Sequence, residues 1–148
     1  MDELHNVVSE LAEIGYESYP LLSVMSLRVV LEDLVKKECQ YSNLSLAGNL
    51  AVNLENVLDS FLTRVVLNKE NNNKKQEIQK LHREFRGWDA LKNLLSLWKK
   101  NAKSYSDKLN YVTHNPSSII DSKEIYDLAN NFLVPLGHLI SSAKQKGI

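Results

Sequence analysis

An all-α fold, a single-domain bundle of about five helices over residues 1–148, is predicted by three observations. Apolar residues recur at three- and four-residue intervals along nearly the whole chain, the period of a buried helix face. No segment alternates apolar and polar with the period of two that a half-buried strand shows. The length suits one domain able to bury a core without disulfides or metal, and no internal repeat divides it.

The elements follow in chain order. Leu4, Val7, Val8, Leu11 and Ile14 form the first stripe, ending near Gly15 and Ser18. Pro20 can open the second helix in its first turn, where a missing N–H costs nothing. From Leu21 to Cys39 that helix is apolar nearly all round, which predicts the central, most buried element, with Asp33 and Glu38 as solvated surface. Ala47, Leu50, Ala51, Leu54, Val57, Leu58, Phe61, Leu62 and Val65 make a third stripe. Lys69 to Gln76, centred on Asn71-Asn72-Asn73, reads as a loop. A basic helix follows with Ile78, Leu81, Phe85, Trp88, Leu91, Leu95 and Trp98 inside, and Gly87 is expected to kink or break it. Residues 104–118 read as irregular, ending at Asn115-Pro116-Ser117-Ser118. Asp121 and Glu124 have the spacing of a capping box and open the last helix. Its stripe is Ile125, Leu128, Ala129, Phe132, Leu133, Leu136, Ile140 and Ala143; Pro135 should kink it, and the tail from Lys144 should fray.

Composition excludes several classes. An apolar share of 43% with a mean hydropathy of −0.30 argues against a membrane protein, and no apolar run approaches the ~20 residues of a spanning helix. The opening Met1-Asp2-Glu3-Leu4-His5 lacks the basic and then apolar regions of a signal peptide, so the cytoplasm is the expected compartment. Cys39 is the single cysteine, expected buried or half-buried, and offers neither a disulfide framework nor a Cys-rich metal site. His5, His82 and His138 form no His-x(3)-His pair, so no metal is expected. No Gly-rich phosphate loop or G-x-S-x-G elbow is present, and no cofactor is expected.

Net charge is zero but unevenly placed. Residues 1–63 carry three basic and ten acidic side chains, and residues 64–108 carry twelve basic and five acidic ones. Such asymmetry can mark an anionic partner. It can equally reflect pairing of acidic with basic helices inside the chain, or head-to-tail contacts between protomers.

Two short segments carry the functional signal. Ser26-Leu27-Arg28-Val29-Val30-Leu31-Glu32 sets one charged pair, four residues apart, on the most apolar helix. An unpaired buried guanidinium is very costly, so Arg28 needs a partner, and Glu32 is within reach. The pair is either structural, at the edge of the apolar face, or Arg28 points into a cleft. Lys108-Leu109-Asn110-Tyr111-Val112-Thr113-His114 lies between two helical segments, with Asn110 four residues before His114.

Together these residues resemble the HEPN superfamily, most closely its small-domain branch with an R-x-x-L-E helix and a late G-N-x-x-x-H turn. The resemblance implies a helical bundle and a homodimer in which two motif copies face each other across a cleft. In many members it also implies a metal-independent ribonuclease built on an Arg-x(4–6)-His motif. On this chain the motif histidine falls on His114 and the polar residue on Asn110, while Lys108 stands where the motif has arginine. Such an enzyme needs a base for the 2′-OH proton, an acid for the leaving 5′-oxygen and a fixed cation at the phosphorane. It yields a 2′,3′-cyclic phosphate. Imidazole titrates in the useful range, and a guanidinium holds two phosphoryl oxygens at once. Lys108 keeps the charge and lacks the fork. The candidate catalytic residues are therefore His114, Asn110, Lys108 and Arg28. Read without the resemblance, His114 is a structural histidine and Asn110 a capping side chain.

Lys74, Lys75, Lys80, Arg83 and Arg86, followed by Lys92, Lys99, Lys100 and Lys103, form the basic segment. Clustered cations bind nucleic acid through counterion release, so the first five are candidate RNA contacts; a solvated face is the simpler reading. Three functions compete. One is a HEPN-type nuclease or nuclease-derived toxin or defence component using His114. Another is a non-catalytic HEPN-like module that dimerises and binds a partner protein or nucleic acid. The third is a small helical RNA-binding subunit of a larger complex. Lys108 and the zero net charge favour the second.

Overall fold

Helices make up every long element of the computed structural model, which describes residues 6, 9–10, 20–67, 74–114 and 122–148. Of Pro20, Leu21, residues 111–114 and Ser122, the backbone alone is described. The stripe from Leu4 to Ile14, the Asn71-Asn72-Asn73 loop, and the turn from Asn115 to the Asp121 cap lie outside the described residues. No strand occurs among the described residues.

Helix α1 runs Pro20–Tyr41, with the proline at its first described position. Helix α2 spans Leu50–Phe61 and continues as a π-helical stretch, Leu62–Leu67. Helix α3 is Lys75–Glu84, and α4 is Trp88–His114. The chain closes with α5 (Ser122–Leu128), a π-helical stretch (Ala129–Leu133) and α6 (Val134–Gln145). Helix α4 packs along α1, α2 and α3, while α1 also meets α2 and α5, and α3 meets α6.

The core is one cluster drawn from all of these helices. Leu27, Leu31 and Leu34 of α1 are buried in it, as the apolar pattern requires. Each fully buried side chain of this kind stabilises by about 1.5–3 kcal/mol. Phe132 fixes the middle, with Trp98 edge-on at 5.6 Å and Tyr105 stacked at 4.3 Å between ring centroids. Burial pushes the Tyr105 phenol up, and a hydrogen bond with Asn101 partly opposes it. The α1 helix is less enclosed than its composition predicts: Leu22, Met25 and Val29 face outward, at 53%, 44% and 64% exposure.

Several local expectations change for physical reasons. Residues 104–114 are helical, the last turns of α4, and not irregular. Tertiary packing outweighs the weak helix propensity of Ser104, Ser106 and Asn110, since Ala102, Ser106 and Leu109 sit on the buried face. Gly87 breaks the basic segment, one of the two outcomes expected of it. Arg86 and Gly87 both take positive φ, 67° and 110°, and the Gly87 N–H donates to the His82 carbonyl at 2.7 Å. Trp88, predicted to face inward, is 42% exposed, and its indole N–H donates to the Val66 carbonyl at 3.2 Å. His82 bonds the Val65 carbonyl through Nε2. These two side chains thereby pair with carbonyls near the end of the π-helical stretch.

Ala47 is exposed and lies before α2, so it leaves the third stripe. Glu38 is 2% exposed rather than solvated. Its carboxylate accepts from Arg64 Nη2 at 3.0 Å and from the Ser42 hydroxyl at 2.7 Å. Burial, and then the neighbouring Glu38 charge, push the Cys39 thiol up. Pro135 is absorbed near the start of α6, directly after the π-helical stretch; the wider turn relieves the proline ring of its usual clash with the carbonyl four residues back. The tail does not fray at Lys144: α6 runs to Gln145, Gly147 turns at φ 69°, and the Ile148 N–H donates to the Ala143 carbonyl at 2.9 Å.

Candidate functional site

Two of the sequence candidates line a groove of about 400 Å³ between α1, the start of α2 and the second half of α4. Helix α1 supplies Arg28 and Glu32 from one face, since they are four residues apart. Lys103, Ser106, Asp107 and Asn110 come from α4 at spacings of three and four, so they share one stripe of that helix. The third wall is Gly48, Asn49, Leu50, Ala51, Val52 and Glu55.

That wall is built rigidly. Asn49 is the N-cap of α2, its side-chain oxygen accepting from the Ala51 N–H at 2.8 Å and the Val52 N–H at 3.4 Å. Such a cap contributes about 1 kcal/mol. Asn53 clamps the incoming loop from within the helix. Its carbonyl oxygen accepts from the Ala47 N–H at 2.7 Å, and its amide donates back to the Ala47 carbonyl at 2.9 Å. Gly48 lies between these two restraints, and a Cβ there would meet no atom within 4 Å.

The electrostatics are mixed. Arg28 Nη2 lies 3.0 Å from Glu32 Oε1, with both side chains partly exposed. The groove carries two cations, Arg28 and Lys103, against three carboxylates, Glu32, Glu55 and Asp107. Two polar atoms of its lining residues, Arg28 Nε and Asn110 Oδ1, are buried away from the groove's open space and have no hydrogen-bond partner. The Asn110 amide makes a single long contact, Nδ2 to Ser106 Oγ at 3.4 Å.

The structure therefore brings together two of the four sequence candidates, Arg28 and Asn110. Lys108 is exposed and does not line the groove; two residues from Asn110, it lies about 200° around the helix from it. Position 114 falls one turn beyond Asn110 on the backbone of α4, and its side chain is outside the described residues. None of Lys74, Lys75, Lys80, Arg83 and Arg86 reaches this groove: they lie on α3 or its flanking turns, all exposed except the half-buried Lys74.

Lys103, Ser106, Asp107, Glu55 and the Asn49–Asn53 frame are site residues that the sequence reading did not assign. Reading α4 through residue 110 would have found the first three, because 103, 106, 107 and 110 form a helical stripe. Nothing local signals that Glu55 and the Gly48 loop would meet them.

Among the described residues, two ion pairs join the acidic and basic portions of the chain. Arg64 meets Glu38 at 3.0 Å, and Lys99 meets Asp59 at 2.6 Å. The hydrogen bond with Asp59 raises the Lys99 pKa above its ordinary value. Part of the charge asymmetry is thus neutralised inside the molecule.

Among the described residues, no group of three His, Cys, Asp or Glu side chains could hold a metal ion. Among them, too, no helix is long and apolar enough to cross a membrane. No protein-family model, curated protein or solved structure matches the chain.

Proposed function

We propose that the chain is a HEPN-like helical module, non-catalytic or weakly active, that dimerises and binds a partner protein or nucleic acid, in a toxin or phage-defence setting. The observation that carries this reading is the state of the groove's best phosphate-binding group. Arg28 is paired with Glu32 at 3.0 Å, and carboxylates outnumber cations around it. A phosphorane gains little from a guanidinium already neutralised, and nearby carboxylates repel it. Lys108 does not compensate, because it is not part of the groove.

The ribonuclease reading keeps one observation in its favour. Arg28 and Asn110 share the groove, and position 114 occupies the next turn of the same helix. A labelled single-stranded RNA incubated with purified protein and chelator separates the two. The expected result is no cleavage by wild type and none by His114→Ala, with light scattering giving twice the 16.9 kDa chain mass. Cleavage to a 2′,3′-cyclic phosphate that falls about 10²–10⁴-fold in His114→Ala, and that Lys108→Arg preserves or raises, would establish the enzyme.

A further inference from the structure

We propose that the outward face of α3, with the turn that joins it to α4, binds single-stranded nucleic acid, its phosphates on α3 and one base stacked on Trp88. This rests on the reading of the chain as a binding module and names one partner, on a face apart from the groove.

The charges of α3 are sorted around its axis. Ile78 and Leu81 are buried, which fixes the inward side. At about 100° per residue, Gln76, Gln79, Lys80 and Arg83 fall within about 100° of arc on the opposite side, and all four are exposed. Glu77 and Glu84, seven residues apart, share a separate stripe on the flank. Glu84 is already committed there, accepting from Lys146 at 3.0 Å and from the Ser142 hydroxyl.

The turn extends the cationic face. The Arg86 N–H donates to the Arg83 carbonyl at 3.2 Å, and Arg86 is exposed at its positive φ of 67°. Asp89 is the exposed carboxylate between Arg86 and Lys92, so it faces a cation on either side in the chain. Among the described residues, no ion-pair partner comes within 4 Å of Lys80, Arg83, Arg86 or Lys92.

Trp88 supplies the platform. It is 42% exposed, and that area is open with Lys92 Nζ already 5.0 Å from the ring centroid. The indole N–H is used up on the Val66 carbonyl at 3.2 Å. The ring is therefore held in place, and what it offers a ligand is apolar π surface rather than a hydrogen bond. Unpaired cations beside a fixed aromatic match a strand that carries both phosphates and bases. An acidic protein segment would answer the cations and leave the ring without a planar partner.

The test is a fluorescence titration of the full chain with three probes of equal charge: a dodecamer of oligothymidine, polyglutamate and inorganic polyphosphate. Oligothymidine has no 2′-OH, so a ribonuclease cannot consume it. Trp98 is 1% exposed, so quenching by a stacked base reports Trp88. The expected result is saturable quenching by oligothymidine alone, with affinity at least about tenfold above the other two probes. Its affinity should fall with salt at a logarithmic slope of about −2 to −3. Lys80→Glu combined with Arg83→Glu, which alters exposed side chains only, should weaken binding at least about tenfold and flatten that slope. Trp88→Leu should weaken it about tenfold with the slope kept. Absence of binding overturns the proposal, as does equal affinity for polyglutamate or polyphosphate, which would mark a general polyanion surface. Binding without quenching, or binding indifferent to the double charge reversal, overturns it as well. Neither of these readouts depends on Trp88→Leu. The binding-module reading fails separately, through RNA cleavage that depends on His114.

Discussion

The Glu38 carboxylate ties α1 to the π-helical stretch that follows α2. It is buried, and Arg64 answers it at 3.0 Å while also donating to the Ile148 carbonyl at 3.2 Å. Arg64 is further placed by its contact with the Phe61 ring, 4.4 Å from the centroid. Arg64→Ala leaves a buried charge with only the Ser42 hydroxyl, and urea unfolding should show a loss of about 3–5 kcal/mol. Replacing both partners, Glu38→Met with Arg64→Leu, should recover much of that loss, because an apolar pair carries no desolvation penalty.

A second carboxylate sets a pH dependence. Burial pulls the Glu84 carboxyl upward. Hydrogen bonds from Ser142 and Lys146, with the charges of Lys146 and His138, outweigh burial and hold it below its ordinary 4.5. A carboxylate lowered on folding stabilises above its unfolded pKa and loses that contribution as pH falls through the folded value. Since Glu84 is 36% exposed, solvent screening keeps the effect to under about 1 kcal/mol. Glu84→Gln should therefore be less stable than wild type at pH 7, and the difference should vanish in acid. A difference that persists at the acid end would show that packing, not charge, is at work. Neither Glu38 nor Glu84 announces its role in the sequence, because Arg64 lies 26 residues from Glu38, and Ser142 and Lys146 lie 58 and 62 residues from Glu84.

At the scale of elements, two glycines make opposite demands. Gly87 sits at φ 110° where α3 ends and α4 begins, a conformation that side chains with a Cβ rarely adopt. Gly48 has an ordinary φ and open space around it. Gly87→Ala should destabilise by about 1–3 kcal/mol, and Gly48→Ala should be neutral or slightly stabilising. Thermal unfolding of the two variants side by side checks the contrast; equal effects would mean the α3–α4 break is not held by Gly87. The helical stripes of α1, α2 and α6 were legible because their apolar residues follow the helix period without interruption. The end of α4 was not. Its Ser, Asn and Thr residues are weak helix formers, and the burial of Ser106 and Leu109 that overrides them is a tertiary fact. Without that helical continuation the Lys103–Asn110 stripe, one of the three walls of the groove, is not visible.

For the whole molecule, the all-helical architecture could be read from periodicity alone. The charge asymmetry between the two portions could be read too, but not its destination. Part of it closes inside the fold through Arg64–Glu38 and Lys99–Asp59. The groove lies where α1 and α4 meet over α2, so its acidic balance is a product of packing rather than of any one segment. Arg28 and Asn110 were singled out by their surroundings in the sequence; that they share a site depended on α4 continuing as a helix.

We propose this groove as a binding surface and not a phosphate-cleaving one. Titration of the protein with uridine 3′-monophosphate, followed at the Gly48 and Val52 amides and the Asn110 side chain, tests it most directly. With Arg28 paired to Glu32 and carboxylates in excess, the groove should show no saturable shift into the millimolar range. Saturable shifts at those positions, lost in Arg28→Ala, would show that the guanidinium is available to phosphate and would contradict the account.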